Sequence, residues 1–502
     1  MWNLLTEALL NVSRSDGTRV VSLPELLVAL SRDEVDELPA VRPHQEHAWY
    51  AFLVQIAAMA AHRAGSDPAA WTADDWRTHL RALAGGDDAW TLVVDDGKRP
   101  AFFQNPSSAA LPDNANEAHA PDLIDVLATA KAHDVKRSRM VAARPEHWAY
   151  ALCTLQTMQG FGGAGNYGIA RMNSGFGTRT AVAVTPSLRW GARFRRDLAL
   201  LREHRANVVS DHGYAATGGH ALLWTLPWDG DRVVASNAAC DPWFVEACRR
   251  VRLVRRGGAV VARYAASKTG LHAETGKAGD TGDPWLPLKT DKDGQKGLNL
   301  SGAGFTTKTT LALLTAGRKG DTTEVVAPAA LSFAGFAGDV SLVFTAAALA
   351  RGQGKTDGFH ERVLPVPVAG ARRLRTDTAR VRARAAARLE LAERIRSKVL
   401  FPALKEVVPD RELERFTGAF SDEVDRRFFP ELWSALDSAD DRAADLAWVT
   451  TLGALARDQL ERAIATVPLP SSTRWQRISA ADGKFGALLH RQLAPLSEGV
   501  TP

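Results

Sequence analysis

Apolar positions in this chain follow two rhythms, and the change comes near residue 370. Before it, helical and extended patterns alternate. Residues 20–30 and 47–63 read as helices, the second apolar nearly all round and therefore a buried core helix. Short apolar or β-branched runs at 90–95, 181–184, 221–224, 260–264 and 342–344 read as strands. Long polar, glycine-rich connections at 267–285 and 286–308 separate them, a length that marks function or disorder. After residue 370 the period is helical throughout, punctuated by Pro402, Pro409, Pro430, Pro468 and Pro470. Leu446, Val449, Leu452, Leu455 and Leu460 form one such stripe. Four helices fit, at 374–400, 410–436, 440–466 and 472–494, and short connections make them an antiparallel bundle. The expected class is α+β, with a mixed α/β domain over 1–368 followed by a four-helix bundle over 369–502. A chain of 502 residues has room for both cores.

Glycine changes this picture most. Seven glycines fall between 160 and 177, a density no helix or strand interior supports. Such backbone adopts positive φ and approaches another surface closely, while Arg171, Asn173 and Arg179 add donors suited to phosphates or base edges. Two readings stand: main chain laid against a polyanion, or an irregular surface loop. The first bundle helix is basic, with Arg372, Arg373, Arg375, Arg380, Arg382, Arg384 and Arg388 against few acids of its own. It reads as a solvated face, or as one turned toward nucleic acid or an acidic subunit. The net charge of +5 agrees with a nucleic-acid partner only weakly.

Motifs for catalysis fail on context. Gly163, Gly165 and Gly168 spell GxGxxG, but a helix precedes them and none is expected to open inside them, so dinucleotide binding lacks its pyrophosphate site. Gly354, Lys355 and Thr356 resemble the end of a phosphate-binding loop whose first glycine is replaced by Leu349. His44 and His47 have no third metal ligand at useful spacing. Cys153, Cys240 and Cys248 make neither a disulfide framework nor a four-cysteine zinc site, and read as reduced thiols, with a pair between Cys240 and Cys248 as the alternative. Trp224, Trp228, Trp243 and Trp285 read as core anchors, with base stacking as the alternative. No apolar run spans a bilayer and no secretory signal opens the chain, so a cytoplasmic binding protein without metal or cofactor is expected.

Several separated segments resemble one family. They are Asn3, Leu4, Leu5 and Thr6 with Asp16 and Gly17; Ser22 to Leu27; Pro100 to Gln104; Gly160 to Gly163; Gly219 to Pro227; Cys240, Asp241 and Pro242; and Arg263 with Tyr264. In order and spacing these resemble the large subunit of the type I-E CRISPR surveillance complex Cascade, the CasA family, over nearly the whole chain. The resemblance implies an α/β domain of unusual topology before a four-helix bundle. It also implies a non-catalytic subunit that reads the protospacer-adjacent motif (PAM) of double-stranded DNA, mainly from the minor groove. Such a subunit starts R-loop formation and helps recruit a helicase–nuclease. The implied partners are the target duplex, the crRNA, and the backbone, small and 5′-handle-binding subunits.

Residue by residue, the family's glycine loop falls on Gly160, Phe161, Gly162 and Gly163, with Asn166, Arg171 and Asn173 in the longer stretch behind it. Its lysine finger falls on Lys268, with Lys277 as competitor. Its glutamine wedge falls on Gln353, flanked by Arg351 and Lys355. The loop that touches the guide aligns with Arg137, Arg139 and Arg144. Arg372, Arg373, Arg375, Arg380 and Arg384 form the basic helix. The insert at 166–178 and the missing cysteine pairs depart from the family, so an altered motif preference and no structural zinc are expected. Two other classes stay open: a scaffolding or RNA-binding subunit without base readout, and a nucleotide-binding enzyme.

Overall fold

The computed structural model describes residues 2–125, 143–160, 163–169, 171, 179–231, 236–267, 279–292, 294–317, 324–336, 338–352 and 355–497. It has two compact units. One comprises Met1–Phe305, Ala316–Ser332 and Val343–Leu364, the other Thr306–Thr315, Phe333–Leu342 and Pro365–Pro502.

The first unit is organised around the apolar helix, which runs Pro43–Ala64. Every residue from Ala48 to Ala61 is buried, because helices Pro145–Thr157 and Trp190–His212 and strand Cys240–Val245 all pack on it. Trp49 and Phe52 lead an aromatic cluster with Tyr150 at 4.8 Å from Trp49 and Phe103 at 5.4 Å from Phe52. Trp224, Trp228, Trp243 and Trp285 are all core residues. The helix expected from residue 20 begins at Leu23. Val20 and Val21 instead complete the hairpin Leu10–Arg14/Gly17–Val21, and Ser22 with Glu25 closes a capping box.

Strands Ala181–Thr185, Ala259–Ala265 and Leu342–Gly352 stand where the patterns predict them, the last much longer. The strand expected at 90–95 is absent. Asp88–Trp90 is a 3-10 turn, and Thr91 makes an isolated bridge to Asn3, whose side chain bonds Thr91 Oγ1 at 2.9 Å. Strand His220–Leu222 gives way to a 3-10 turn at Leu223–Thr225, where the Trp224 indole N–H donates to Ala89 O.

The second unit is helical, as its period predicts, though its first helix is not continuous. Val368–Thr376 and Thr378–Ile395 meet at Asp377, whose carboxylate accepts from the Arg380 N–H and caps the second. That helix then runs on through a π turn at Arg396–Leu400 into Phe401–Val407. Pro402 stands in the first turn of that last segment, directly after the π turn, and does not break the helix. Pro430 lies inside Leu413–Asp437, held by the burial of Phe428, Phe429, Leu432 and Trp433. Asp441–Thr466 and Arg474–Ser497 follow. Leu446 stands 38% exposed, so Trp448 rather than Leu446 opens the buried stripe.

Candidate nucleic-acid interface

Helix Pro145–Thr157 delivers the glycine loop. Buried almost throughout, it carries one amide, Gln156, with every polar valence spent. Nε2 donates to Phe103 O and Arg249 O at 2.9 and 3.0 Å, and Oε1 accepts from the Cys248 and Arg249 N–H groups, both at 2.7 Å. The Arg249 guanidinium, itself buried, donates to Gly160 O at 2.5 Å. The first residue of the loop is thereby fixed to strand Arg250–Arg256 through the side chain just before it.

Beyond it, the Asn166 N–H closes a turn on Gly163 O at 2.9 Å, with Gly163 at φ +107°. Gly165, at φ +82°, lies so close to the end of strand Ala259–Ala265 that an added Cβ would stand 2.4 Å from Ala266 Cβ. Ser267 donates its N–H to Gly165 O at 3.1 Å and its hydroxyl to the same oxygen at 3.4 Å. Two sequence elements about a hundred residues apart, the glycine loop and the stem leading to Lys268, are thus joined side by side. Residues 163–169 open no helix, so the GxGxxG has no anion-binding helix end.

Asn166 is exposed at the turn. Arg171 faces inward: it is 3% exposed, donates to Phe244 O at 2.8 Å, lies over the Phe244 ring and faces Glu246 at 3.6 Å. Arg179 is buried too, in a bidentate pair with Asp283 at 2.6 and 2.9 Å. Burial alone pushes the Asp283 carboxyl up, but the charge and hydrogen bonds of Arg179, with Arg171 beyond, outweigh it and hold the group below its ordinary value. Burial, helped by Arg179, holds His47 well below the usual histidine range.

Phe161, Gly162, Asn173, Lys268, Lys277, Gln353, Arg137 and Arg139 lie outside the described residues. Arg351 and Lys355 belong to the strands Leu342–Gly352 and Lys355–Val366, neighbours in one sheet. Their side chains also lie outside the described set. Arg144 precedes its helix and pairs with Glu146 at 2.6 Å. Glu146 is fully buried and also accepts from the Asn11 N–H and amide at 2.9 and 2.6 Å.

The basic helix finds acids that the local charge count missed, because they come from other segments. Arg372 pairs with Asp339 at 2.8 Å, Arg380 with Asp441 at 3.3 Å, and Arg384 with Asp445 at 3.2 Å. Arg375 donates to Phe336 O and Gly338 O, while Arg373 is half-buried. Buried Arg388 lies over Trp448 and donates to Ala444 O.

Among the described residues no three side chains stand together as metal ligands, and no helix is long and apolar enough to cross a membrane. All three cysteines are buried and unpaired, and burial raises Cys240 to about 12 and Cys248 to about 11. Sequence reading missed Gln156, Arg249 and Ser267, and met Gly165 only as part of the glycine stretch and its GxGxxG. A lone amide in an apolar helix was the one available signal, and it named no partner.

Residues 3–463 match a family model described as CRISPR-associated protein Cse1. No curated protein matches the chain. Among solved structures, Thermobifida fusca Cse1 is 16% identical with a TM-score of 0.66, over 99% of this chain and 98% of that one. Cse1 from Acidimicrobium ferrooxidans is 18% identical with a TM-score of 0.64, over 99% of both chains. A chain of a CRISPR RNA-guided surveillance complex is 14% identical with a TM-score of 0.58, over 93% of this chain and 99% of that one. The likeness agrees with the α+β class expected from the hydrophobic pattern.

Proposed function

This chain belongs to the CRISPR-associated protein Cse1 family, and from that membership we propose that it is the DNA-recognition large subunit of a type I-E Cascade complex. In this reading it performs no catalysis. It reads the PAM of the target duplex largely from the minor groove, starts R-loop formation and helps recruit the helicase–nuclease. Its other partners are the crRNA and the backbone, small and 5′-handle-binding subunits, in the bacterial cytoplasm. Residues 1–368 carry recognition and 369–502 form the bundle.

The observation that carries this reading is the join between Gly165 and Ser267. It lets bare glycine backbone and the Lys268 stem act as one reading head. Gly160, Phe161, Gly162 and Gly163 press into the groove, Asn166 and Asn173 flank them, and Lys268 supplies the cation. Arg171 acts by holding the chain behind the loop. Gln353, between Arg351 and Lys355 in the sequence, is thrust into the duplex. Unstacking costs a few kcal/mol per step, offset by contacts and guide pairing. Arg144 with Arg137 and Arg139 meets the guide, and the basic helix meets neighbouring subunits.

The test is target loading by complexes carrying Lys268→Ala or Gln353→Ala. Normal assembly with weakened loading or unwinding supports the reading. Normal loading by both variants refutes the placement of finger and wedge.

A further inference from the structure

A second feature adjoins the reading head. A cavity of about 300 Å³ is walled by the Asp96–Lys98 turn, the loop from Asn105 to Leu111, Trp228 and the residues Arg249 to Arg252. That volume lies at the lower end of small-ligand sites. Four cationic side chains line it, Lys98, Arg249, Arg250 and Arg252, with Asp96 among them and the Asp229 carboxylate held on its Ser107 and Ser108 wall.

Two of the four are held by neutral oxygens. Arg249 donates to Gly160 O, and Arg252 to Arg99 O, Val94 O and Asp96 O at 2.8 to 3.0 Å. Carbonyl partners orient the Arg249 guanidinium without neutralising it, whereas Asp96, Asp88 and Asp95 act on Arg252, so the cationic surplus of the pocket rests on Lys98 and Arg250. Lys98 is exposed. Arg250 makes one long contact, 3.5 Å to Ala266 O.

The pocket is built around Arg250. Gly230, at φ +94°, lies against it so closely that an added Cβ would stand 2.8 Å from Arg250 Cδ and 3.2 Å from Nη1. Asp229, just before this glycine, is pinned by the Ser107 and Ser108 hydroxyls at 2.7 Å each. The Trp228 indole N–H and Asn105 Oδ1 are buried with no partner among the described residues. Lining residues thus offer an apolar wall of Leu111, Trp228 and Val251, two unspent polar groups and a cationic rim.

Its place decides the class of occupant. Arg249 bonds the first residue of the glycine loop, and Arg250 faces Ala265 across the ladder that leads to Lys268. We propose that this cavity seats one nucleotide of the DNA flank, with its phosphate on Lys98 and Arg250 and its sugar or base over Leu111, Val251 and Trp228. The inference rests on the DNA-recognition reading above. It adds a sequence-independent grip beside the base-reading elements.

Lys98→Gln, Arg250→Gln and Arg250→Lys would be assembled with guide RNA and the remaining subunits. Binding to duplexes with a preferred and an unpreferred flank would be measured from 50 to 200 mM salt. Each Gln variant is expected to weaken binding about three- to tenfold at both flanks and to reduce the slope of log K against log salt by about 0.9, one phosphate contact. Arg250→Lys keeps the slope. An unchanged slope overturns the proposal even if affinity falls. So does failure of Lys98→Gln to enter the complex, since this exposed side chain makes no hydrogen bond or ion pair among the described residues and such a failure would mean that the cavity holds a protein partner. If Arg250→Gln misfolds, Lys98→Gln decides alone. Wild-type flank discrimination, read in the same titrations, tests the recognition reading separately. Its absence beside a reduced slope would sink that reading and keep the pocket.

Discussion

The chain concentrates arginine in two places and uses it in opposite ways. Around the glycine loop, Arg171, Arg179 and Arg249 are buried and spend their guanidinium groups on interior carboxylates and carbonyls. On the first bundle helix, Arg372, Arg380 and Arg384 lie at the surface or half-way to it and pair with acids from other segments. An arginine-rich stretch therefore says little about nucleic acid by itself. In the first place arginines set the shape of a backbone to which the proposed function assigns the contacting, and in the second they pair with acids from other segments. Contact with a polyanion falls to the residues these leave unspent.

The comparison breaks first at Asp283. Asp283→Ala strands Arg179 and Arg171 without a full complement of charge in the interior, and breaking a buried pair costs about 3–5 kcal/mol, readable in urea denaturation. Next comes Gly165→Ala. A left-handed residue that must carry a Cβ loses about 1–2 kcal/mol, and the clash with Ala266 should also separate loop from stem and weaken target loading.

Acid sharpens the contrast further. The unfolded His47 side chain takes a proton near 6.5 and the folded one resists it, because burial and Arg179 oppose the charge. The unfolded state therefore binds more protons below that value. Stability is full above pH 6.5 and falls below it by about 1.4 kcal/mol per pH unit. His47→Gln should flatten the profile between pH 7.5 and 5.5. The smallest effect belongs to the bundle: Arg380→Ala, in a pair whose side chains are 43% and 50% exposed, should cost under about 1 kcal/mol. A loss as large as that of Asp283→Ala would erase the distinction between the two arginine sets.

Much of this was legible from residue order. The 3.6-residue period exposed the bundle, and an all-apolar stretch exposed the central helix, because burial on every side leaves no polar face to write. The break at Asp377 was lost because arginines and alanines on both sides keep helical propensity high, and only the cap geometry ends the turn. The false strand at 90–95 came from apolar residues that are buried without a ladder. Composition singled out the glycine loop but not what holds it. Gln156 and Arg249 are 93 positions apart, and Gly165 and Ser267 are 102 apart, and no local pattern encodes such a pairing. The acids that pair with the basic helix were out of local view likewise, since Asp441 and Asp445 belong to the next helix but one.

The central claim is that the glycine loop and its joined stem read a DNA flank. It is tested most directly by duplex-target affinity of the guide-loaded complex with and without this chain, across all flanking trinucleotides at one salt concentration. The account predicts that adding the chain tightens binding for a subset of flanks. It also predicts that Lys268→Ala removes that preference while assembly is retained. Equal tightening for every flank, or none for any, would contradict it.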